Sequence, residues 1–94
     1  MDLHDYRQKV DRIDEEMTRL FAERMELSAQ IAVYKRAHGL QVLDAARERE
    51  KLAEIEAKLP AELREYGASF YRHVFELSRE RQEHVFLEAD GKGD

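Results

Sequence analysis

The chain contains no cysteine, only one proline and only four glycines among its 94 residues. Without cysteine it can form neither disulfides nor thiolate-dependent catalytic or metal sites. The scarcity of proline and glycine, together with frequent Ala, Leu, Glu, Arg and Lys, predicts a few long helices rather than many strands. A chain of this length is expected to form one domain, whose core can only be modest.

Signals for membranes, export and nucleic acid are also missing. No apolar stretch approaches the length needed to cross a bilayer, and charged residues stand near the N-terminus, where a signal peptide would need an apolar run. The formal net charge of −5 disfavours nucleic acid as a partner, because phosphate binding needs a basic surface. We therefore expect a cytoplasmic protein that binds neither membranes nor nucleic acid.

The sequence also lacks the common catalytic and cofactor motifs. Its four histidines have no metal-ligand spacing, and no glycine-rich phosphate loop occurs. Ser28, Ser69 and Ser78 lie in no recognisable nucleophile motif, and no pair among the 21 acidic residues stands out for glycoside hydrolysis. We expect neither a metal nor a cofactor.

Apolar residues in the first half recur in alternating steps of four and three, which predicts one uninterrupted helix from about residue 3 to residue 37, ending at His38-Gly39. Such a helix would be roughly 50 Å long, whereas a compact domain of this size is about 26 Å across. One chain cannot cover the whole stripe, so a homodimer is expected. This stripe, called the apolar seam below, comprises Tyr6, Val10, Ile13, Met17, Leu20, Leu27, Ile31 and Tyr34.

Two further helices are predicted after a short connection at residues 39–43. The first has Asp44 as its N-cap and runs to about Lys58, where Pro60 interrupts the chain. The second covers roughly residues 61–87. The predicted fold class is thus all-α, with three helices, the first very long, in an intertwined helical homodimer.

The third helix carries two further expectations. An irregularity is expected near Gly67, because glycine is a poor helix former. Residues 89–94 have nothing to bury and are predicted to form a disordered tail after a domain of residues 1–88.

Charged residues interrupt the apolar pattern of the first helix. Continuing the rhythm places Arg24 in the seam, and a guanidinium there must find anions because it stays charged. Taken alone, a salt bridge to Glu23 or Glu26 would explain it. Lys35 lies about 20° around the helix from Arg24, so both could lean toward one pocket. Arg7 lies about 100° away and would face a different pocket, such as one in a partner subunit.

Polar residues also interrupt the later helices. Ser78 and Gln82 share one face of the third helix, within its apolar stripe, and either bind a ligand or cross-link helices. Residues 44–50 are rich in charge. They form either a solvated first turn or a site in which Arg47 holds an anion and Glu48 accepts from a hydroxyl.

Three segments, in order, resemble the all-helical class of chorismate mutases, the type II fold. Residues 6–14 resemble the opening pattern of that family, residues 22–48 its central signature, and residues 74–82 its last-helix motif. The resemblance covers about residues 3 to 85. The third helix departs from the family pattern, because it is unusually polar at residues 79–81.

The resemblance implies conversion of chorismate to prephenate, a cofactor-free pericyclic (Claisen) rearrangement in phenylalanine and tyrosine biosynthesis. It further implies that Arg7 reaches across the homodimer into the partner's pocket. There it would join Arg24, Lys35 and Arg47 in a cationic lining for the two substrate carboxylates. No proton transfer or nucleophile is needed, in agreement with the missing motifs.

The resemblance also assigns individual roles. Lys35 and Gln82 would hydrogen-bond the ether oxygen, Glu48 and the backbone at Asp44 would bind the ring hydroxyl, and Ser78 would contact the ring end of the ligand. The implied catalytic residues are Arg24, Lys35, Glu48 and Gln82. The implied substrate-binding residues are Arg7, Arg24, Lys35, Asp44, Arg47, Glu48, Ser78 and Gln82.

Two other functions fit parts of the sequence. Isochorismate pyruvate lyase shares the fold, but Glu48 after Arg47 favours the mutase, because its carboxylate suits the ring hydroxyl of chorismate. A non-catalytic helical dimerisation or regulatory module would explain the apolar seam. It gives no reason for Arg24, Lys35 and Gln82 to align with a known site.

Overall fold

Three α-helices account for most of the chain in a computed structural model, which describes residues 1–92 and the side chains of residues 1–88. They are α1 (Leu3–Ala37), α2 (Ala45–Lys58) and α3 (Arg64–Lys92), with a short 3-10 turn at Ala61–Leu63. No strand occurs within the described residues. The prediction of an all-α fold with a very long first helix is confirmed. None of the described helices has both the length and the apolar character needed to span a bilayer.

Local hydrogen bonds define both ends of α1. At its start Asp2 and Asp5 form a reciprocal capping box, in which each side chain accepts from the backbone N–H of the other, at 3.0 and 3.1 Å. At its end Gly39 has a φ of +66°, a left-handed conformation that glycine adopts without steric cost. The N–H of Leu40 can then donate to the carbonyl of Lys35 at 2.8 Å, which closes the helix.

The second helix begins as predicted, with Asp44 as its N-cap. The Asp44 carboxylate accepts from the backbone N–H of Arg47 at 3.0 Å and so satisfies one of the unpaired donors at the helix start. The helix ends before Pro60, which lacks a backbone N–H and begins the 3-10 turn.

The expected irregularity near Gly67 is wrong, because α3 passes through this residue without a break. Packing explains the glycine: a Cβ atom added there would lie 2.2 Å from Cδ1 of Leu59. Gly67 therefore lets the Leu59 side chain lie directly against the backbone of α3. The irregular backbone lies earlier, in the 3-10 turn after Pro60.

The end of α3 also differs from the prediction. The helix continues to Lys92 rather than stopping near residue 87, so residues 89–92 of the expected tail are helical. Residues 93 and 94 of that tail lie outside the described residues. The domain boundary at residue 88 stays a prediction.

The second half of α1 packs alongside α3, and the two helices run in the same direction. Position 28 of α1 lies beside position 78 of α3, and position 35 beside position 82. The second helix runs the opposite way and packs on α3, with Leu59 at its end beside Gly67 near the start of α3. This arrangement brings the end of α1, the start of α2 and the middle of α3 together.

Few apolar residues are buried within the single chain. Among the described residues the buried apolar ones are Ala32, Ala68, Val74 and Phe75. The side chains of the apolar seam are instead between 46 and 60 % exposed. The chain measures 60 × 26 × 14 Å and has a radius of gyration of 17.0 Å, whereas a compact domain of this length would have about 12 Å. One chain thus leaves most of its longest apolar stripe uncovered.

The left-handed turn at Gly39 yields a stability prediction. Replacing Gly39 with Ala places a Cβ in a disfavoured backbone conformation and should lower the free energy of unfolding by about 1 kcal/mol. Gly39→Asn is the control, because Asn tolerates this conformation better, and it should lose clearly less. Urea denaturation at one fixed protein concentration measures both variants. Equal losses would contradict the role given to the positive φ.

Candidate active site

A cavity of about 350 Å³ opens where the end of α1, the connection after it, the start of α2 and the middle of α3 meet. Seven of the eight predicted substrate-binding residues line it, and the exception is Arg7. The complete lining is Arg24, Ile31, Lys35, Val42, Asp44, Arg47, Glu48, Lys51, Phe75, Ser78, Arg79 and Gln82.

The cavity is strongly positive although the protein is acidic. Five of its lining residues are Lys or Arg and two are Asp or Glu, an excess of three positive charges in a chain whose net charge is −5. A cleft lined by one sign of charge concentrates the field and attracts small ions of the opposite sign. The local arrangement therefore favours a small anion with more than one negative charge.

Lys35 connects three parts of the structure inside this cavity. Its ammonium group donates to the carbonyl oxygen of Val42, in the connection after α1, at 2.6 Å. It also donates to Oε1 of Gln82, on α3, at 3.1 Å. An ammonium group has three N–H donors, so one remains for a ligand.

A chain of polar contacts continues from Gln82 across the α1–α3 interface. The amide nitrogen of Gln82 donates to Ser78 Oγ at 3.3 Å, and Ser78 Oγ lies 2.6 Å from Ser28 Oγ. Ser28 in turn donates to the carbonyl of Arg24 at 3.1 Å. Because Ser28 donates onward, Ser78 must be the donor in the bond between the two hydroxyls. Gln82 is only 6 % exposed, and these partners fix the orientation of its amide.

Arg24 is a partly buried residue of the cavity lining. Its guanidinium carbon is 5.8 Å from the centre of the Phe75 ring, within the range of a cation–π contact. Its Nε atom is buried and has no hydrogen-bond partner in the protein. An unsatisfied buried donor on a charged group costs more than about 1 kcal/mol, so a ligand oxygen there would be stabilising.

Arg47 and Glu48, which the sequence analysis placed together in one candidate site, differ in their exposure. Glu48 is partly buried, and both of its carboxylate oxygens accept from Nη1 of Arg79, at 2.5 and 2.6 Å. Arg47 and Asp44 are exposed at the mouth of the cavity, where the Asp44 carboxylate is occupied by capping α2. Asp44 can therefore offer a ligand its backbone more readily than its side chain.

Arg7 lies away from the cavity of its own chain. It precedes Arg24 by 17 positions on the same helix, which places it about 25 Å away along the axis. Arg7 is exposed, on the part of α1 that carries the first residues of the apolar seam. It therefore cannot complete the site of its own chain.

Several residues of the site were not predicted from the sequence. Val42, Lys51 and Arg79 line the cavity, and Ser28 contacts the lining residue Ser78. For two of them a signal was present. Arg79 stands four positions after the apolar Phe75, so it shares a helix face with it. Ser28 stands four positions after Arg24 in the same way. Val42 takes part through its backbone carbonyl, which has no signature in the sequence. Within the described part of the chain, no three His, Asp or Glu side chains cluster to form a metal site.

Comparison with known proteins identifies a family. The family model of chorismate mutase type II matches residues 6–83, which is most of the chain. No curated protein and no solved structure gives a significant individual match.

The contact between the two serines provides a stability test. Ser28→Ala and Ser78→Ala should each lower the free energy of unfolding by about 1 kcal/mol, because each leaves its partner less well satisfied. The double variant should lose clearly less than the sum of the two, since both substitutions remove the same contact. Ser69→Ala, an identical substitution at an exposed position of α3, should change stability by less than about 0.5 kcal/mol. Additive losses would show that the serines are not coupled.

Proposed function

Because the chain belongs to the chorismate mutase type II family, we propose that its cavity binds chorismate and converts it to prephenate. The reaction would serve phenylalanine and tyrosine biosynthesis in the cytoplasm. One observation carries the proposal: a cavity with three excess positive charges holds a buried guanidinium donor, Nε of Arg24, that has no partner in the protein. A substrate with two carboxylates supplies what this cavity lacks.

Chorismate carries two carboxylates, and the cavity offers separate cations for them. Arg24 is partly buried against Phe75, while Arg47 is an exposed residue of the lining on another helix, so a bound dianion would be held at two points. Guanidinium groups suit carboxylates because their N–H donors match the two oxygens. Holding both carboxylates selects the compact conformer in which the two carbons that will bond lie close together.

The rearrangement breaks one carbon–oxygen bond and forms one carbon–carbon bond within the same molecule. No proton is transferred and no nucleophile attacks. The barrier is therefore lowered by conformation and by electrostatic stabilisation of the ether oxygen, on which negative charge grows. The third N–H donor of Lys35 and the second amide N–H of Gln82 are suited to this oxygen, since their other donors are held by protein groups.

The remaining polar groups would orient the ring. Glu48 is a carboxylate acceptor in a cavity with an excess of positive charge, which suits it to the ring hydroxyl of chorismate, together with the backbone at Asp44. Ser78 lies next to Gln82 and would contact the ring end. The carboxylate at Glu48 favours the mutase reaction over isochorismate pyruvate lyase. A non-catalytic helical module would not explain the cationic lining of the cavity.

We also propose that the protein is a homodimer in which Arg7 enters the partner's cavity. The apolar seam of α1 is about half exposed in the single chain, and the chain buries few large apolar side chains. Two copies of the seam could cover one another, which is the self-complementary contact that a two-fold dimer requires. Arg7 lies on the same part of α1, so this association would carry it toward the other subunit.

The role of Lys35 can be tested directly with chorismate. Lys35→Ala should lower kcat/KM by about 100- to 1000-fold, the usual loss when a donor to a developing negative charge is removed. Arg24→Ala should cause a comparable loss. Turnover is followed by the loss of chorismate's ultraviolet absorbance, with chromatographic identification of prephenate and a parallel assay on isochorismate.

Arg19→Ala is the matched control for these variants. The Arg19 side chain lies on the same helix, is 61 % exposed and pairs with Glu16 and Glu23 on the surface. Its removal should therefore leave kcat/KM within about twofold of wild type. Near-normal turnover in both Lys35→Ala and Arg24→Ala would rule out the proposed site. Pyruvate release from isochorismate without prephenate formation would assign the lyase instead.

Mixing two inactive variants tests the crossing of Arg7. Arg7→Ala and Arg24→Ala homodimers should each be nearly inactive. In a mixed dimer, one cavity has its own Arg24 and receives Arg7 from the other subunit, so that cavity is complete. After subunit exchange at equal concentrations, activity should return to about one quarter of the wild-type value, because half of the dimers carry one working site of two.

The control for this experiment is a mixture of Arg24→Ala with Lys35→Ala. Both substitutions lie in the same cavity, and Arg7 is intact in both, so every cavity in a mixed dimer lacks one of the two cations. No activity should return. If the Arg7→Ala mixture also stays inactive although an affinity tag on one variant co-purifies the other and so shows mixed dimers, Arg7 does not act across the interface.

A further inference from the structure

Arg79 has no role in the proposed function, yet it forms an ion pair with Glu48 inside the cavity. Its Nη1 atom donates to both carboxylate oxygens of Glu48, at 2.5 and 2.6 Å, and so joins α3 to the first turn of α2. The two side chains are 29 and 27 % exposed, so water screens this pair less than a surface ion pair. An ion pair at this depth restricts the rotamers of both partners.

We propose that Arg79 is a positioning residue that holds the Glu48 carboxylate toward the substrate's ring hydroxyl and thereby sets the preference for a hydroxylated ring. This inference rests on the proposed function, since it deepens the role of Glu48 in that site. Arg79 is not required to touch the substrate. It acts through the carboxylate that it orients.

The charge pattern explains why such a residue is needed. Glu48 shares the cavity with Arg24, Lys35 and Arg47, any of which could attract its carboxylate. A carboxylate that turned toward one of them would neutralise a cation intended for the substrate. Arg79 instead pairs with Glu48 from the α3 side, which leaves the other cations for the two carboxylates of the ligand.

The geometry leaves Glu48 able to bind a hydroxyl. A carboxylate has about four lone-pair directions, two on each oxygen. A single nitrogen that bridges both oxygens occupies one direction on each, so the others remain available. Lys51, the neighbouring cation on α2, is directed to Glu54 at 3.3 Å and does not compete for this carboxylate.

The test compares chorismate with its analogue that lacks the ring hydroxyl but keeps the allyl vinyl ether. Arg79→Met removes the charge and keeps most of the length. This variant should lower kcat/KM for chorismate about tenfold, the loss expected when a hydrogen bond to a charged group is removed. It should change kcat/KM for the analogue less than about threefold. Glu48→Gln should behave in the same way. The double variant should be no worse than the more impaired single variant, because both changes disrupt one unit.

Two further variants separate positioning from general stability. Arg79→Lys keeps a cation and should recover most of the preference for the hydroxylated substrate. Arg72→Met removes an exposed arginine two helical turns earlier on the same face of α3 and should leave both substrates unaffected. Circular dichroism establishes that each variant is folded.

Each outcome has a distinct meaning. Equal losses on both substrates, additive losses in the double variant, or no loss at all would overturn the role of Arg79 while leaving the proposed function intact. A wild-type protein that converts neither substrate would overturn the proposed function, and this inference with it.

Discussion

The organisation of the molecule depends on one partly buried ammonium group, that of Lys35. Lys35 stands in the last turn of α1 and donates both to the backbone of the following connection and to Gln82 on α3. A partly buried cation must have its donors satisfied, so these two acceptors fix where the chain turns after α1 and how α3 lies against it. The turn at Gly39 supplies the backbone reversal that this contact needs. Lys35 thus joins three of the elements that line the cavity, and one of its donors stays available for a ligand.

Helical periodicity indicated candidate positions for this site, and the resemblance to the family gave their roles. Arg24 interrupts an apolar seam and Lys35 lies close to the same angle, so both could lean toward one pocket. Ser78 and Gln82 likewise interrupt the apolar stripe of α3. Periodicity gives the angle of a residue around its own helix, but not its partner on another helix. The pairing of Glu48 with Arg79 could not be predicted this way, because it depends on the position of α2 along the axis of α3.

Backbone details were predicted where local chemistry decides them, and not where packing does. Asp44 caps α2 because a carboxylate at that position satisfies nearby N–H groups whatever surrounds it. Gly67 was expected to disturb α3, but its effect is on its neighbour, since the missing Cβ makes room for the Leu59 side chain. The end of α3 was placed too early because the sequence shows no large apolar residue after Leu87 that would require the helix to continue.

The length of α1 links stability and function in one element. Its second half packs on α3 and builds the cavity, whereas its first half carries Arg7 and much of the exposed seam. A shorter helix would still form the cavity walls but would lose much of the exposed seam and the distant arginine. If the seam and Arg7 are used as proposed, the subunit contact that stabilises the small core also completes the substrate lining. A folded single subunit would then hold an incomplete site, so activity would depend on protein concentration near the dissociation constant of the dimer.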